Sequence, residues 1–513
     1  MNTSGYTIGF GINMNNDPKV RLITHDVYPP DARTEKILYE MADADGVIKP
    51  VVALPDIHFK HSYHTPTGVV VMTKDRIIPK FINANCGMSF IKTPFFDREI
   101  NDTALDKIFN YLRKNIAVST RSSPLINNAD LKEIVRKGAE WSIDRYGLCP
   151  DDLANFENNG SLLKDDLRGI DEIMSYIPDA CQQMGLLSWG VLGYGNHFVE
   201  LHVVEDIVNS DIAQKFNISK GQICFMIHGD SRAFGQSIFD FYSGKAKKLF
   251  GLQQIYKKLH YKILSSPISL PAVKSALSKV NYYLNRAKST VYWKMDGWNR
   301  KRSLSFSGFD AKSKEGVAYL TSTYCAIDYG YANRAYMASI IRDALRNALN
   351  SDTAGVNILY DGNHDALQRE VIDGDLFYAH RNGAARALPA SYFKGHPVFS
   401  QTGQPILLPS SLGSPSYLCA VTKGCRDSYY SSCHGTGRVI ERGQARQLFT
   451  AKDVFENMKG KNVKIYDYGK GNTSEEAPGA FKDVEKIMES VMEHGIAEPV
   501  AMLMPLASLK GWR

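Results

Sequence analysis

No regular strand–helix–strand period runs through this chain, and that limits its folds more than any other feature. Stretches with helical spacing and apolar runs of strand length are interleaved irregularly, which predicts an α+β or mixed α/β architecture. Arg33 to Asp45 reads as a helix, and Gly46 to Pro55 as a β-branched segment closed by proline. Val69–Met72 and Ile77–Ile78 read as short buried strands around polar turns, and Ala104 to Tyr146 as mostly helical. Phe198–Val204, Cys224–Ile227, Pro405–Leu408 and Tyr417–Val421 have the character of strands; Tyr319–Ala348 and Val484–His494 that of helices. At 513 residues the chain has room for about three domains of roughly 150 residues, or for one large domain with insertions. Its 44% hydrophobic and 22% charged residues are those of a globular protein.

One segment departs from the rest. Residues 241–302 hold fourteen Lys or Arg against one acid, Asp296, while the whole chain carries only +7, so the remainder is net acidic. Ten aromatics, including Tyr256, Tyr261, Trp293 and Trp298, are interleaved with these bases, and Pro267 and Pro271 break the helical spacing. We read 241–302 as a basic helical insertion into a domain made of 1–240 and 303–513. Such a segment suits a polyanion, with Lys and Arg on phosphates and aromatics on unpaired bases. A solvated helical pair with its aromatics in a small core is the plainer alternative.

No stretch of about 18 uncharged apolar residues predicts a membrane span, and Met1 to Gly9 lacks the pattern of a signal peptide. Eight cysteines in so long a chain do not form a disulfide scaffold, so reduced thiols and a cytoplasmic location are expected.

Polar clusters stand beside the apolar runs, where functional groups are usually displayed. They are Asn83 to Gly87 with Cys86, Gly193 to Glu200, Ile227 to Arg232, Asp361 to Asp365, His380 to Arg386, and Ser431 to Arg438 with His434. A lone Cys or His of this kind is more often a core residue than a ligand. Five His-bearing clusters in one chain shift that balance. Cys86 with His197, His228 and His364 makes an N/S donor set whose softness favours Zn²⁺, with Mn²⁺ or Fe²⁺ open. No two of these share a short spacer, so spacing names no metal. No Walker A sequence is present, so any nucleotide is held differently.

Taken in order, Pro55 to His58, Asn85 to Met88, Gly195 to Glu200, His228 to Arg232, His380 to Arg386 and Cys433 to Arg438 resemble the RtcB family. So do Glu315 to Tyr319, Tyr331 to Arg334, Gly403 to Pro405 and the terminal Lys510-Gly511. The likeness runs from about Val52 to the C-terminus, apart from the basic insertion. It implies a single large α+β domain with a deep central cleft for metal and nucleotide. It implies a GTP- and Mn²⁺-dependent ligase joining RNA with a 2′,3′-cyclic phosphate or 3′-phosphate to RNA with a 5′-hydroxyl. His434 would be the nucleophile that takes GMP. Asn83, Cys86, His197, His228 and His364 would hold one or two metal ions, with Cys86 bridging. The nucleotide would be lined by Asn196, His197, Phe198, Val199, Glu200, His364, Asp365, Pro409, Ser410, Ser411, Leu412, Ser416, His434, Gly435, Thr436, Gly437, Phe481 and Lys510. Arg381, Arg386 and Arg438 would hold RNA or GTP phosphates, since guanidinium forks match phosphate oxygens. An archease-like activating protein is the one protein partner implied, and a monomer is expected.

The chain departs from the family pattern at several points. Asn83 stands for an aspartate, which weakens the second metal position. Asn382 stands for a lysine, Asp365 for an asparagine, and Phe481 for a tyrosine that stacks on guanine. The turn after His58 is longer and less glycine-rich. A metal-dependent phosphodiesterase or phosphatase on RNA ends, or a catalytically silent RNA-binding paralogue, are the competing readings.

Overall fold

A computed structural model describes residues 7–8, 19–59, 65–82, 85–242, 306, 308–351, 355–372, 374–459, 463–468 and 473–511. Two mixed sheets carry the architecture, with helices packed against them. The first runs 7–8, 365–372, 375–382, 67–73, 47–58, 20–22. The second runs 357–363, 86–96, 222–230, 198–207, 497–510, 416–421, 405–408, with 464–467 paired to the C-terminal strand. Early and late segments alternate in both, so the α+β expectation holds and each sheet needs both halves of the chain.

The strands Val47–His58 and Thr67–Thr73 are nearly continuous apolar runs because they are covered on both faces. The helix Lys314–Leu349 is buried along almost its whole length, which explains its Ala, Gly, Ser and Tyr content and its lack of a polar stripe. Ser313 caps its first turn by accepting from Gly316 N at 3.0 Å, and Asn350 ends it in the left-handed conformation. This helix packs against Asp102–Asn115, Asn128–Lys137, Ala139–Tyr146 and Arg232–Tyr242, and it touches the strands that carry the site.

One expectation changes, and strands that the sequence did not mark are added. The helical stretch expected over 104–146 is three helices, broken at Ile116 and at Gly138, whose φ of +57° suits glycine. Cys86 opens one of the added strands, Cys86–Phe96. The strand Ala497–Lys510, central to the second sheet, has too little alternation to read from sequence, because its part-exposed positions Met502, Met504 and Leu506 are also apolar. The basic insertion lies outside the described residues, except for Phe241 and Tyr242 at the end of a helix. No helix among the described residues is long and apolar enough to cross a membrane.

Candidate active site

Antiparallel pairing makes strand starts and strand ends meet at one end of the second sheet. Cys86 begins its strand, and His228 and Asp230 close theirs. His197 directly precedes Phe198–Ile207, and His364 directly follows Asn357–Asn363. The register sets Met88 opposite His228, Phe198 opposite His228, and Cys86 opposite Asp230. Residues two apart on a strand share a face. Four dispersed sequence clusters therefore converge without any short spacer between them.

The distances are those of a donor cluster. Cys86 Sγ lies 3.1 Å from His228 Nε2 and 3.3 Å from His197 Nε2, and the Nε2 atoms of His228 and His364 are 3.2 Å apart. Cys86, His228 and His364 form one potential metal-binding triad, and Cys86, His197 and Asp230 a second that shares the sulfur. The outer nitrogens are anchored: His197 Nδ1 is 3.0 Å from the Leu192 carbonyl and His228 Nδ1 is 3.1 Å from the Asn196 carbonyl. Donating outward from Nδ1 leaves the His228 Nε2 lone pair facing inward, the tautomer a metal ligand needs, whereas His197 Nδ1 lies between the Leu192 carbonyl and the Arg232 Nη1 donor at 2.8 Å, so the carbonyl alone does not set its tautomer. Burial holds His197 down to about 4 and puts His228 and His364 well below the usual histidine range, so all three are neutral at pH 7. Burial also pushes the Cys86 thiol far up, with Asp230 and Asp365 adding to it; only a cation in contact would make this group a thiolate. Thiolate, imidazole and carboxylate donors around one sulfur fit Mn²⁺ or Zn²⁺.

His434 stands at the edge of this cluster, its ring centroid 4.6 Å from that of His364. It follows the short strand Ser431–Cys433, which pairs with Ala384–Arg386. Asp56, fully buried in the first sheet, places Oδ2 2.6 Å from His434 Nδ1, and the Gly383 carbonyl is 2.9 Å from the same nitrogen. Nδ1 is thus the protonated nitrogen, and Nε2 carries the free lone pair. Gly383, at φ +63°, cannot carry a side chain here, because a Cβ would lie 2.1 Å from Thr67 Cγ2 and 3.1 Å from His434 Cε1. Lys482 Nζ donates to the Pro55 and Ile57 carbonyls at 2.9 and 2.8 Å, fixing the backbone on both sides of Asp56. Its own burial lowers it to about 8, an effect opposed by Asp56. A pocket of about 10 Å³, room for one water, is lined by His364 and His434 together with Met88, Tyr360 and Ala385.

The remaining expected residues fall into three places. Asn196, Phe198, Glu200, Asp365, Pro409, Gly435, Thr436, Gly437 and Lys510 surround His434 and the donor cluster or adjoin residues that do. Asp365 Oδ1 accepts from Gly383 N at 2.7 Å, and Pro409 packs on Gly435. Glu200 is buried 3.2 Å from His202 Nε2; Lys510 Nζ lies 5.2 Å from the Phe198 ring centre and 3.4 Å from Glu476. Ser410 N donates to Ser416 Oγ at 3.2 Å, Ser411 Oγ bonds Ser414 Oγ at 3.0 Å, and Leu412 joins a small core with Val454 and Met458. Val199 points into the main core, away from Phe198 and Glu200.

The buried arginines and the part-buried Phe481 occupy the third place. Arg381 and Arg386 both bind Glu370, at 2.9 and 3.0 Å, and Arg381 also donates to Gln368 and Ser431. Arg438 pairs with Glu476 at 3.6 Å and covers the Phe481 ring at 4.4 Å. Asn382 is buried and donates to Thr65 Oγ1 and the Pro66 carbonyl, tying down the chain before Thr67–Thr73. His380 is a core residue whose Nε2 accepts from Ile78 N at 3.0 Å. Asn83 lies outside the described residues.

Sequence reasoning gave no role to Asp56, Lys482 or Asp230. Asp56 ends an apolar run inside Pro55 to His58, and a carboxylate in such a run is the signal that could have marked it.

A family model described as tRNA-splicing ligase RtcB matches residues 37–511. The chain belongs to the RtcB family. A curated RtcB relative, the tRNA-splicing ligase RtcB of Methanococcus maripaludis, is 25% identical over 485 residues, covering 91% of this chain and 89% of its own. The RtcB match encloses all the strand-end clusters that build the site, from Cys86 to His434.

One prediction follows from burial of the imidazoles. His380 is held at about 4, as is His197, against 6.5 in an unfolded chain. As pH falls through 6.5 the unfolded chain takes up these protons first, so stability drops from there toward pH 4, by about 1.4 kcal/mol per pH unit for each such histidine. The urea midpoint of the metal-free protein is expected to fall steeply between pH 7 and pH 5; a flat profile would show these rings to be protonated in the fold.

Proposed function

We propose that this RtcB-family protein is an RNA ligase that uses GTP and a divalent cation, best Mn²⁺, and works through a covalent His434–GMP intermediate. The observation that carries the reading is His434 itself: Nδ1 bound by Asp56, its ring against His364 and thus beside the Cys86–His228–His364 donor cluster. Family membership and the name of the Methanococcus relative support RNA as substrate.

His434 Nε2 attacks the α-phosphorus of GTP; a P–N bond forms and pyrophosphate leaves. Positive charge then develops on the ring, and Asp56, one hydrogen bond away, offsets it. An RNA 3′-phosphate oxygen next attacks the same phosphorus and releases the imidazole. A 5′-hydroxyl finally attacks the activated 3′-phosphate, forming the phosphodiester and expelling GMP. A 2′,3′-cyclic end is first opened by water to the 3′-phosphate. Cys86, His197, His228 and His364 would hold one or two divalent cations, which would neutralise phosphate charge and help pyrophosphate to leave. Glu200 accepts from the guanine edge, which favours GTP over ATP. Lys510, Thr436 and the 409–416 loop line the nucleotide. Phe481 serves as the stacking surface, and Arg381, Arg386 and Arg438 shape the phosphate side while bound to Glu370 and Glu476.

The test is incubation with α-labelled GTP and Mn²⁺, then denaturation, followed by ligation of RNA bearing a 2′,3′-cyclic phosphate to RNA bearing a 5′-hydroxyl, with and without an archease-like protein. Acid-labile, alkali-stable label and a joined product are expected. Cyclic-phosphate opening with no label would instead leave a phosphodiesterase.

A further inference from the structure

Asp230 is the residue near the cluster that no role yet explains. It lies directly across from Cys86 in the paired strands, and cross-strand partners have Cβ atoms about 5 Å apart on one face. Its Oδ2 is 3.8 Å from His197 Nε2, and its carboxylate, Cys86 Sγ and His197 Nε2 all lie within 4.8 Å of one another. A structural duty exists: Oδ1 accepts from Arg232 N at 2.6 Å, at the start of Arg232–Tyr242, where Arg232 has a φ of +54°. Arg232 Nη1 also donates to Oδ2 at 3.1 Å. Neither contact requires that Oδ2 face the sulfur and imidazole of a neighbouring strand. Asparagine would make the Oδ1 contact equally well, and only a carboxylate brings negative charge to a cation.

The charge balance makes this position matter. A first cation on Cys86, His228 and His364 has the thiolate as its only anionic protein ligand. A second cation bridged by that sulfur, with His197, has no further anion unless a carboxylate joins it. Asn83 is neutral and does not supply one.

We propose that Asp230 provides the carboxylate of a second cation subsite formed with Cys86 and His197, in place of the charge that Asn83 lacks. The proposal rests on the reading that the Cys86–His228–His364 set holds a divalent cation. Mn²⁺ would then bind as a sulfur-bridged pair, its oxygen donor coming from the strand 222–230 rather than from the segment before Cys86.

Titration of the full-length protein with Mn²⁺ alone, followed by the loss of the free-ion electron paramagnetic resonance signal, counts bound ions and reports spin coupling between them. Two Mn²⁺ with a coupled signal are expected for the native chain. In Asp230→Asn, which keeps an Oδ1 acceptor for Arg232 N, one ion should bind as before. The other should weaken at least about tenfold, with loss of the coupled signal. Asp230→Ser, which also retains a capping oxygen, should behave alike, and unchanged melting temperatures identify folded variants. Two ions bound with native affinity in both variants would overturn the proposal, as would a single ion in the native chain. His364→Ala separates the two readings: it should remove the first ion, and if it leaves binding untouched the underlying metal site is wrong as well.

Discussion

His434→Ala is expected to carry no label from α-labelled GTP and to lose ligation by at least about 10³-fold, while binding Mn²⁺ like the native chain. The reasoning is geometric. His434 lies beside the donor cluster, yet the donors are closed among themselves: Cys86, His197, His228 and His364 meet one another at 3.1–3.3 Å. Removing the His434 ring leaves those contacts and their carbonyl anchors in place. Asp56→Asn grades the same idea. The amide keeps the shape but cannot offset charge on the ring, and it can present a donor to Nδ1 and turn the wrong tautomer toward phosphorus. Label should therefore form far more slowly in Asp56→Asn than in the native chain, with metal binding unchanged. Label persisting on His434→Ala would place the nucleophile elsewhere, and native rates in Asp56→Asn would reduce that contact to packing.

Much of this site was legible in the sequence because chemistry-bearing residues gathered at the ends of apolar runs. Cys86 and His228 lie at strand ends, His197, His364 and His434 directly beside strands, and the strands bring them to one place. What was not legible depends on pairing across the sheet. Asp230 is two residues from His228, but its position opposite Cys86 comes from an antiparallel register, which no local pattern states. Asp56 reaches His434 over 378 residues of chain. The arginines' partners were not legible either: their fork geometry suits phosphate and carboxylate alike, and in the fold Arg381 and Arg386 meet Glu370 while Arg438 meets Glu476. The last strand, Ala497–Lys510, ends in Lys510 and was missed because apolar Met502, Met504 and Leu506 occupy its part-exposed positions and hide the alternation.

The second large effect is on stability. Arg334, on the long helix, is fully buried, and its Nε and Nη2 reach the Asp361 carboxylate at 2.6–3.1 Å. It also donates to the Gly229 carbonyl at 3.2 Å, and Ser89 donates to Asp361 from the strand between. One guanidinium thereby ties together the ends of the strands 222–230 and 357–363, which hold His228, Asp230 and His364. Arg334→Leu strands a buried carboxylate and an unmet carbonyl, and is expected to cost about 3–5 kcal/mol in unfolding free energy. Arg334→Leu combined with Asp361→Leu should recover much of that loss, because the desolvated charge is gone. Metal affinity should not recover fully with it, because the bridge adds to the strand pairing that holds the ends carrying His228 and His364 together. Chemical denaturation of the single and double variants, with Mn²⁺ binding measured on each, tests the two consequences separately. A single variant within 1 kcal/mol of native would mean that water enters and solvates Asp361, and the pair would then be a surface interaction in all but position.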